Sequence, residues 1–190
     1  MGDRHDGLIE GFIREPDVAK SHEILIDAPA EVVLDVAEHF DLQSIPTIHF
    51  LFRLREFLFL IRPKPRPQVK ALVSETMKLG WVRLAHVPGR ELVMGAIAQP
   101  WVGKVQFKSV EPDAFARFAE PGFVKIVWTL EVEPLQRRST LFRTQTRVLA
   151  TDAAARKRFL LYWFFAGPLV TLIRILGIRA VRREAERRLI

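Results

Sequence analysis

Residues 124–133 read Val-Lys-Ile-Val-Trp-Thr-Leu-Glu-Val-Glu. Val124, Ile126, Trp128, Leu130 and Val132 fall on one side of a pleated strand. Lys125, Thr129, Glu131 and Glu133 fall on the other, with Val127 the exception. The alternation predicts a strand covered on one face and wet on the other. Pro134–Ser139 should turn the chain. Thr140–Leu149 then repeats the pattern, with Phe142, Thr144, Thr146 and Val148 set against Leu141, Arg143, Gln145, Arg147 and Leu149. Asp152 offers a side-chain oxygen to the first amides of a long helix, about Ala153–Arg188. Gly167-Pro168 is expected to interrupt that helix and Gly177 to loosen it. A strand pair with one apolar face, followed at once by a long helix, calls for that helix as its cover.

Upstream, Trp81–Val87 and Glu91–Ala98 are strand-like and flank the turn signal Pro88-Gly89. Trp101–Val110 reads as another strand, and Glu111–Phe123 as a loop with a helical turn at Asp113–Phe118. Residues 69–79 place Val69, Leu72, Val73, Thr76 and Met77 on one helical face, closed by Gly80. Near the start, His22–Asp27 alternates as a strand. Asp27-Ala28-Pro29-Ala30-Glu31 then opens a helix through Phe40. A second helix, about Ile45–Ile61, follows with Pro46 at its start, and Arg62-Pro63-Lys64-Pro65-Arg66-Pro67 ends it. Residues 1–20 read as an N-terminal extension and 21–190 as one domain.

The order is therefore one strand, two short helices, a run of antiparallel strands and a long last helix. That layout resembles the helix-grip fold of the START/Bet v 1-like (SRPBCC) superfamily over about residues 20–188. Two segments carry the resemblance. Ile24-Leu25-Ile26-Asp27-Ala28-Pro29-Ala30-Glu31-Val32-Val33 looks like the family's first strand entering its first helix. Thr144-Gln145-Thr146-Arg147-Val148-Leu149-Ala150-Thr151-Asp152 looks like its last strand entering the long helix. The resemblance implies an α+β fold in which a curved antiparallel sheet wraps the C-terminal helix and leaves a cavity between them. It also implies lipids, sterols, polyketides or other apolar ligands. Some members are cyclases or aromatases.

Composition narrows the chemistry. The 190 residues are 49% hydrophobic and 27% charged, and Cys is absent. Disulfides, thiolate catalysis and Cys-bound metals are excluded. Residues 151–190 hold nine basic side chains against three acids, +6 of the net +7. These basic residues bracket the apolar run Phe159–Ile173. That suits an amphipathic helix better than a nucleic-acid surface, its basic residues either solvated and complementing the helix macrodipole or touching an anionic membrane. The run is about 22 Å long as a helix, short of the roughly 30 Å of hydrocarbon a span must cross. Asp3, Asp6 and Glu10 sit where a signal peptide would be cationic and apolar, so a cytoplasmic, membrane-peripheral location is expected.

His5, His22, His39, His49 and His86 form no metal-binding spacing, and there is neither a nucleophile elbow nor a phosphate loop. No metal and no cofactor are expected. His86 and Glu91 would face each other across a two-residue Pro88-Gly89 turn, as a surface pair or as an acid/base pair at a pocket rim. The candidate ligand-binding residues are Trp101, Ile126, Trp128, Leu130, Phe142, Thr144, Thr146, Tyr162 and Phe165. They are aromatic and aliphatic surfaces with a few aimed hydroxyls, the usual make-up of a small-molecule pocket. Three functions stay open. The first is binding of an apolar or amphipathic small molecule, favoured by the scarcity of acid/base candidates. The second is a cyclase-, aromatase- or hydrolase-like enzyme using the same cavity. The third is a peripheral membrane or assembly module.

Overall fold

A computed structural model describes residues 7–40, 72–102 and 105–189. The expected helix Ile45–Ile61, with His49, lies outside the described residues, as does the Arg/Pro run after it. The elements in chain order are α1 (Ile9–Phe12), β1 (Val18–Ile26), α2 (Ala30–His39), α3 (Leu72–Lys78), β2 (Val82–Val87), β3 (Glu91–Gln99), β4 (Gln106–Lys108), α4 (Pro112–Phe115), β5 (Val124–Gln136), β6 (Ser139–Ala150) and α5 (Ala153–Arg187). The sheet is antiparallel and curved, in the order β1-β6-β5-β3-β2, with β4 also paired to β3. The first strand pairs with the last, Val18 opposite Val148 and Ile26 opposite Thr140. The fold is α+β, a helix grip: α5 lies across the concave face of the sheet.

Local chemistry sets the boundaries. Gly80 ends α3 at φ 103°, a left-handed conformation open to glycine. The Trp81 amide donates to Thr76 O and the Gly80 amide to Met77 O, which satisfies carbonyls the helix would otherwise leave bare. Asp152 caps α5, its Oδ1 accepting from the amides of Ala154 at 2.7 Å and Ala155 at 2.9 Å. Its other oxygen accepts from the Gly122 amide, tying the helix start to the loop before β5.

Several expectations are corrected. β5 runs past Pro134 to Gln136, with a register shift between these two residues, and the turn is Arg137-Arg138. β3 pairs with β5 only as far as Glu131, so Pro134 sits where no neighbour on that side needs its missing amide proton. Of the expected strand Trp101–Val110, only Gln106–Lys108 pairs among the described residues. α5 is an unbroken helix of 35 residues through Gly167-Pro168. The carbonyl that Pro168 leaves without a donor belongs to Phe164, on the solvent side, where water can serve it.

The convex face is covered rather than wet. Ile9, Ile13 and Phe115 pack on Val93, Ile97 and Val127 there, which accounts for the apolar Val127 on the expected polar side. Arg147 reaches into the first residues, donating to Ile13 O at 2.9 Å and pairing with Glu10 at 2.6 Å. Within the segment expected as an extension, Ile9, Glu10 and Ile13 therefore contact the sheet. Lys125 is buried beneath this cover and donates to Ala116 O at 3.0 Å, and burial pushes its pKa down.

Gly95 shows how close the convex packing is. A Cβ there would overlap Leu84 Cδ1 and lie 3.0 Å from Phe115 Cε2. Gly95→Ala is expected to cost about 1–3 kcal/mol, the range for overpacking a core. Adding Leu84→Ala should reduce the penalty that Gly95→Ala imposes, because the overlap is with that side chain. Chemical denaturation of the double-mutant cycle measures both terms.

Candidate functional site

The concave face is built by alternation. Leu92 and Met94 of β3, Ile126, Trp128 and Leu130 of β5, and Phe142, Thr144, Thr146 and Val148 of β6 all point the same way. Trp128 stands between Met94 and Thr146, its registered neighbours. α5 meets this face at two places. Near its start, Phe159, Tyr162 and Ala166 pack on Val124 and Val148. Near its end, Ile178, Val181 and Ala185 join Val33, Leu34, Val36 and Ala37 of α2. Between the two contacts a cavity of about 350 Å³ remains. Ala37 and Phe40 wall it at the α2 end, and Phe159, Tyr162 and Trp163 at the other.

The wall is apolar with few exceptions. Trp81 meets Trp128 edge to face at 6.2 Å between ring centres. The Thr76 hydroxyl is taken up within α3, donating toward Val73 O at 2.8 Å and Leu72 O at 3.1 Å. Thr144, Thr146, Tyr162 and Arg174 are the other polar side chains of the wall. Arg174 donates through Nη1 to Lys20 O at 3.0 Å and through Nη2 to the Thr146 hydroxyl. Among the described residues no carboxylate pairs with it. Burial lowers its pKa to about 10, low for a guanidinium because the charged form is poorly solvated there.

The expected ligand residues divide. Ile126, Trp128, Leu130, Phe142, Thr144, Thr146 and Tyr162 line the cavity. Trp101 does not; it packs beside the Phe159–Tyr162 cluster at the start of α5. Phe165 does not either. It is 60% exposed, next to Phe164 at 74%, because it lies on the helix flank turned away from the sheet. Arg174, counted above only among the basic side chains of residues 151–190, lines the cavity as well. Its separations of four and seven from Val170, Ile178 and Val181 put it on their stripe of the helix, and that was the available signal.

His86 and Glu91 do not meet. The loop between β2 and β3 has three residues, so Val87 opposes Glu91 and His86 opposes Leu92. His86 lies 3.6 Å from Glu38 of α2. Glu91 is buried toward the other face, against the N-terminal segment. Burial and the neighbouring Glu131 push its pKa up, partly offset by a hydrogen bond from the Leu8 amide. Its Oε1 has no partner among the described residues. No group of His, Asp and Glu among the described residues is arranged to hold a metal ion.

Neither a protein-family model nor a curated protein matches this chain. Similar solved structures include the Zhui aromatase/cyclase from Streptomyces sp. R1128. It is 13% identical, with 91% of this chain and 96% of that one covered, at a TM-score of 0.36. A point mutant of norcoclaurine synthase from Thalictrum flavum is 12% identical over the same shares, at 0.40. A conserved protein from Geobacillus kaustophilus is 12% identical, covering 90% and 96%, at 0.33. At these values none of them lends this chain a substrate or an activity.

Glu91 gives a pH test. Its pKa is higher folded than unfolded, so the folded state holds the extra proton. Stability therefore falls as pH rises from the ordinary carboxylate range through the raised folded value. Glu91→Gln should raise stability by about 1 kcal/mol at neutral pH, the scale of an unsatisfied buried polar group. The gain should vanish below pH ~4, where the carboxyl is protonated in both states. Thermal melts of both proteins across that range decide it.

Proposed function

We propose that this chain binds an apolar or amphipathic small molecule in the cavity between sheet and α5, carrying or sequestering it rather than transforming it. One observation carries the reading: a largely apolar space of about 350 Å³, bordered by aromatic rings, persists in an otherwise packed domain. That size lies within the usual range for small-molecule sites. The described wall holds no carboxylate and no imidazole, so an acid/base cyclase or hydrolase reading lacks its proton carrier there. The architecture suits a helix-grip binding protein of the START/Bet v 1-like kind.

A neutral fluorescent probe, N-phenyl-1-naphthylamine, tests the cavity. Wild type should take it up with enhanced emission, and Trp128→Ala should weaken uptake about tenfold. The same substitution should cost less than the roughly 3–5 kcal/mol of a fully packed aromatic, because Trp128 borders open space. Absence of uptake by wild type, together with a full packed-core penalty, would overturn the reading.

A second observation supports contact with an anionic membrane. Leu160, Leu161, Phe164, Phe165 and Leu172 are exposed on α5, and only 22% of the helix's most apolar stretch is buried. At helical spacing they form one stripe, preceded by Lys157 and Arg158 and followed by Arg179, Arg182 and Arg183. The exposed stripe is about 18 Å long and the opposite flank of α5 is packed in the domain, so α5 would lie in the interface rather than cross it. Each basic residue near such a surface contributes about 1 kcal/mol. Wild type should float with phosphatidylserine-containing vesicles, less so with pure phosphatidylcholine. Phe164→Asp with Phe165→Asp should stay in the pellet fraction yet still take up the neutral probe. Flotation of that variant equal to wild type would exclude the stripe.

A further inference from the structure

The cavity has an electrical asymmetry that an apolar ligand does not explain. Arg174 is a partly buried cation in a wall otherwise without charge. Two of its five N–H groups are used, on Lys20 O and the Thr146 hydroxyl, both uncharged oxygens. The remaining donors have no carboxylate within reach among the described residues. Around it lie further donors. Lys20 and His22 of β1 stand opposite Thr146 and Thr144 in the sheet register. His22 Nδ1 is buried without a partner among the described residues. The Thr144 hydroxyl faces the same space. A shielded cation is costly unless something of opposite sign completes it.

We propose that the bound molecule is an anionic amphiphile of the carboxylate class, its head on Arg174 and the Thr144 and Thr146 hydroxyls and its apolar body toward Trp128. This rests on the cavity reading above and narrows it. A carboxylate suits the fork of a guanidinium and brings one negative charge to one uncompensated positive charge. The position suits loading from a surface. A shallow groove beside the cavity runs along Lys20, Pro168, Leu172 and Ile175, and Trp163 borders both. Pro168 and Leu172 are exposed there, Leu172 belonging to the apolar stripe. The head site is therefore near the outer edge of the cavity, and the apolar body lies deeper.

The experiment compares cis-parinaric acid with its methyl ester, each read by energy transfer from the cavity tryptophans. Wild type should bind the acid about tenfold tighter than the ester, the scale of one charge-assisted contact. Arg174→Met should bind both alike, through a loss for the acid and no loss for the ester. Arg174→Lys should keep part of the preference, since it keeps charge without the fork. Thr146→Val should reduce the preference with less disturbance to the cavity. Ligand-free Arg174→Met should also melt higher than wild type, because an uncompensated charge has left an apolar site. Equal binding of acid and ester by wild type would overturn the anionic head and leave the cavity reading standing. Binding of neither would overturn the cavity reading and this inference with it. Because wild type alone decides between these outcomes, the test does not depend on any variant folding.

Discussion

Helix α5 packs its apolar side chains on the rest of the domain in two separate groups, with Arg174 bridging to β1 and β6 between them, and the distance between the groups is what makes a cavity. Phe159, Tyr162 and Ala166 hold one end against Val124 and Val148, and Ile178, Val181 and Ala185 hold the other against α2. An α-helix is stiff over this length, so its middle cannot sag onto a sheet that curves away. Large residues could have filled the gap. Instead the middle presents Val170, Ile173 and Gly177, with Arg174 drawn aside to Lys20 O and the Thr146 hydroxyl and the short side chains of Thr144 and Thr146 opposite. The Asp152 cap matters for the same reason. It fixes the point at which the helix leaves β6, and a shift there would move every later residue relative to the wall.

Covering both faces of the sheet gives this arrangement its rigidity. β3 is buried along nearly its whole length, with Met94 on the cavity side and Val93 and Ile97 beneath the N-terminal segment. The convex cover keeps the cavity floor from flexing outward. It also confines charged groups such as Lys125 and Glu91 in places where burial shifts their protonation.

The concave face was legible in the sequence because a pleat has a period of two and the residues obey it. Ile126, Trp128, Leu130, Phe142, Thr144 and Thr146 all stand where alternation puts them. The convex cover was not legible, since alternation says which residues share a face but not what lies over it. Val127 was the one trace. The hairpin misplacement of His86 and Glu91 has a similar origin: a loop of three residues instead of two reverses which side chains share a face. Phe165 and Arg174 were misjudged on α5 because a helix apolar on nearly every side gives no single stripe to orient by. Their true faces follow only from which turns touch the sheet.

The pairing of Val18 with Val148 has a consequence for how this chain comes into being. The first strand has no partner in the sheet until the last strand exists, about 120 residues later. At ribosomal rates that is a wait on the order of ten seconds, during which the amides and carbonyls of β1 have no partner strand. Only when β6 leaves the exit tunnel can the sheet close, and α5 follows directly behind it. Sheet closure and capture of the helix therefore wait until β6 and α5 have both been made. A nascent chain stalled before residue 150 would display an open edge strand, the kind of surface that invites pairing with another chain or the attention of a chaperone.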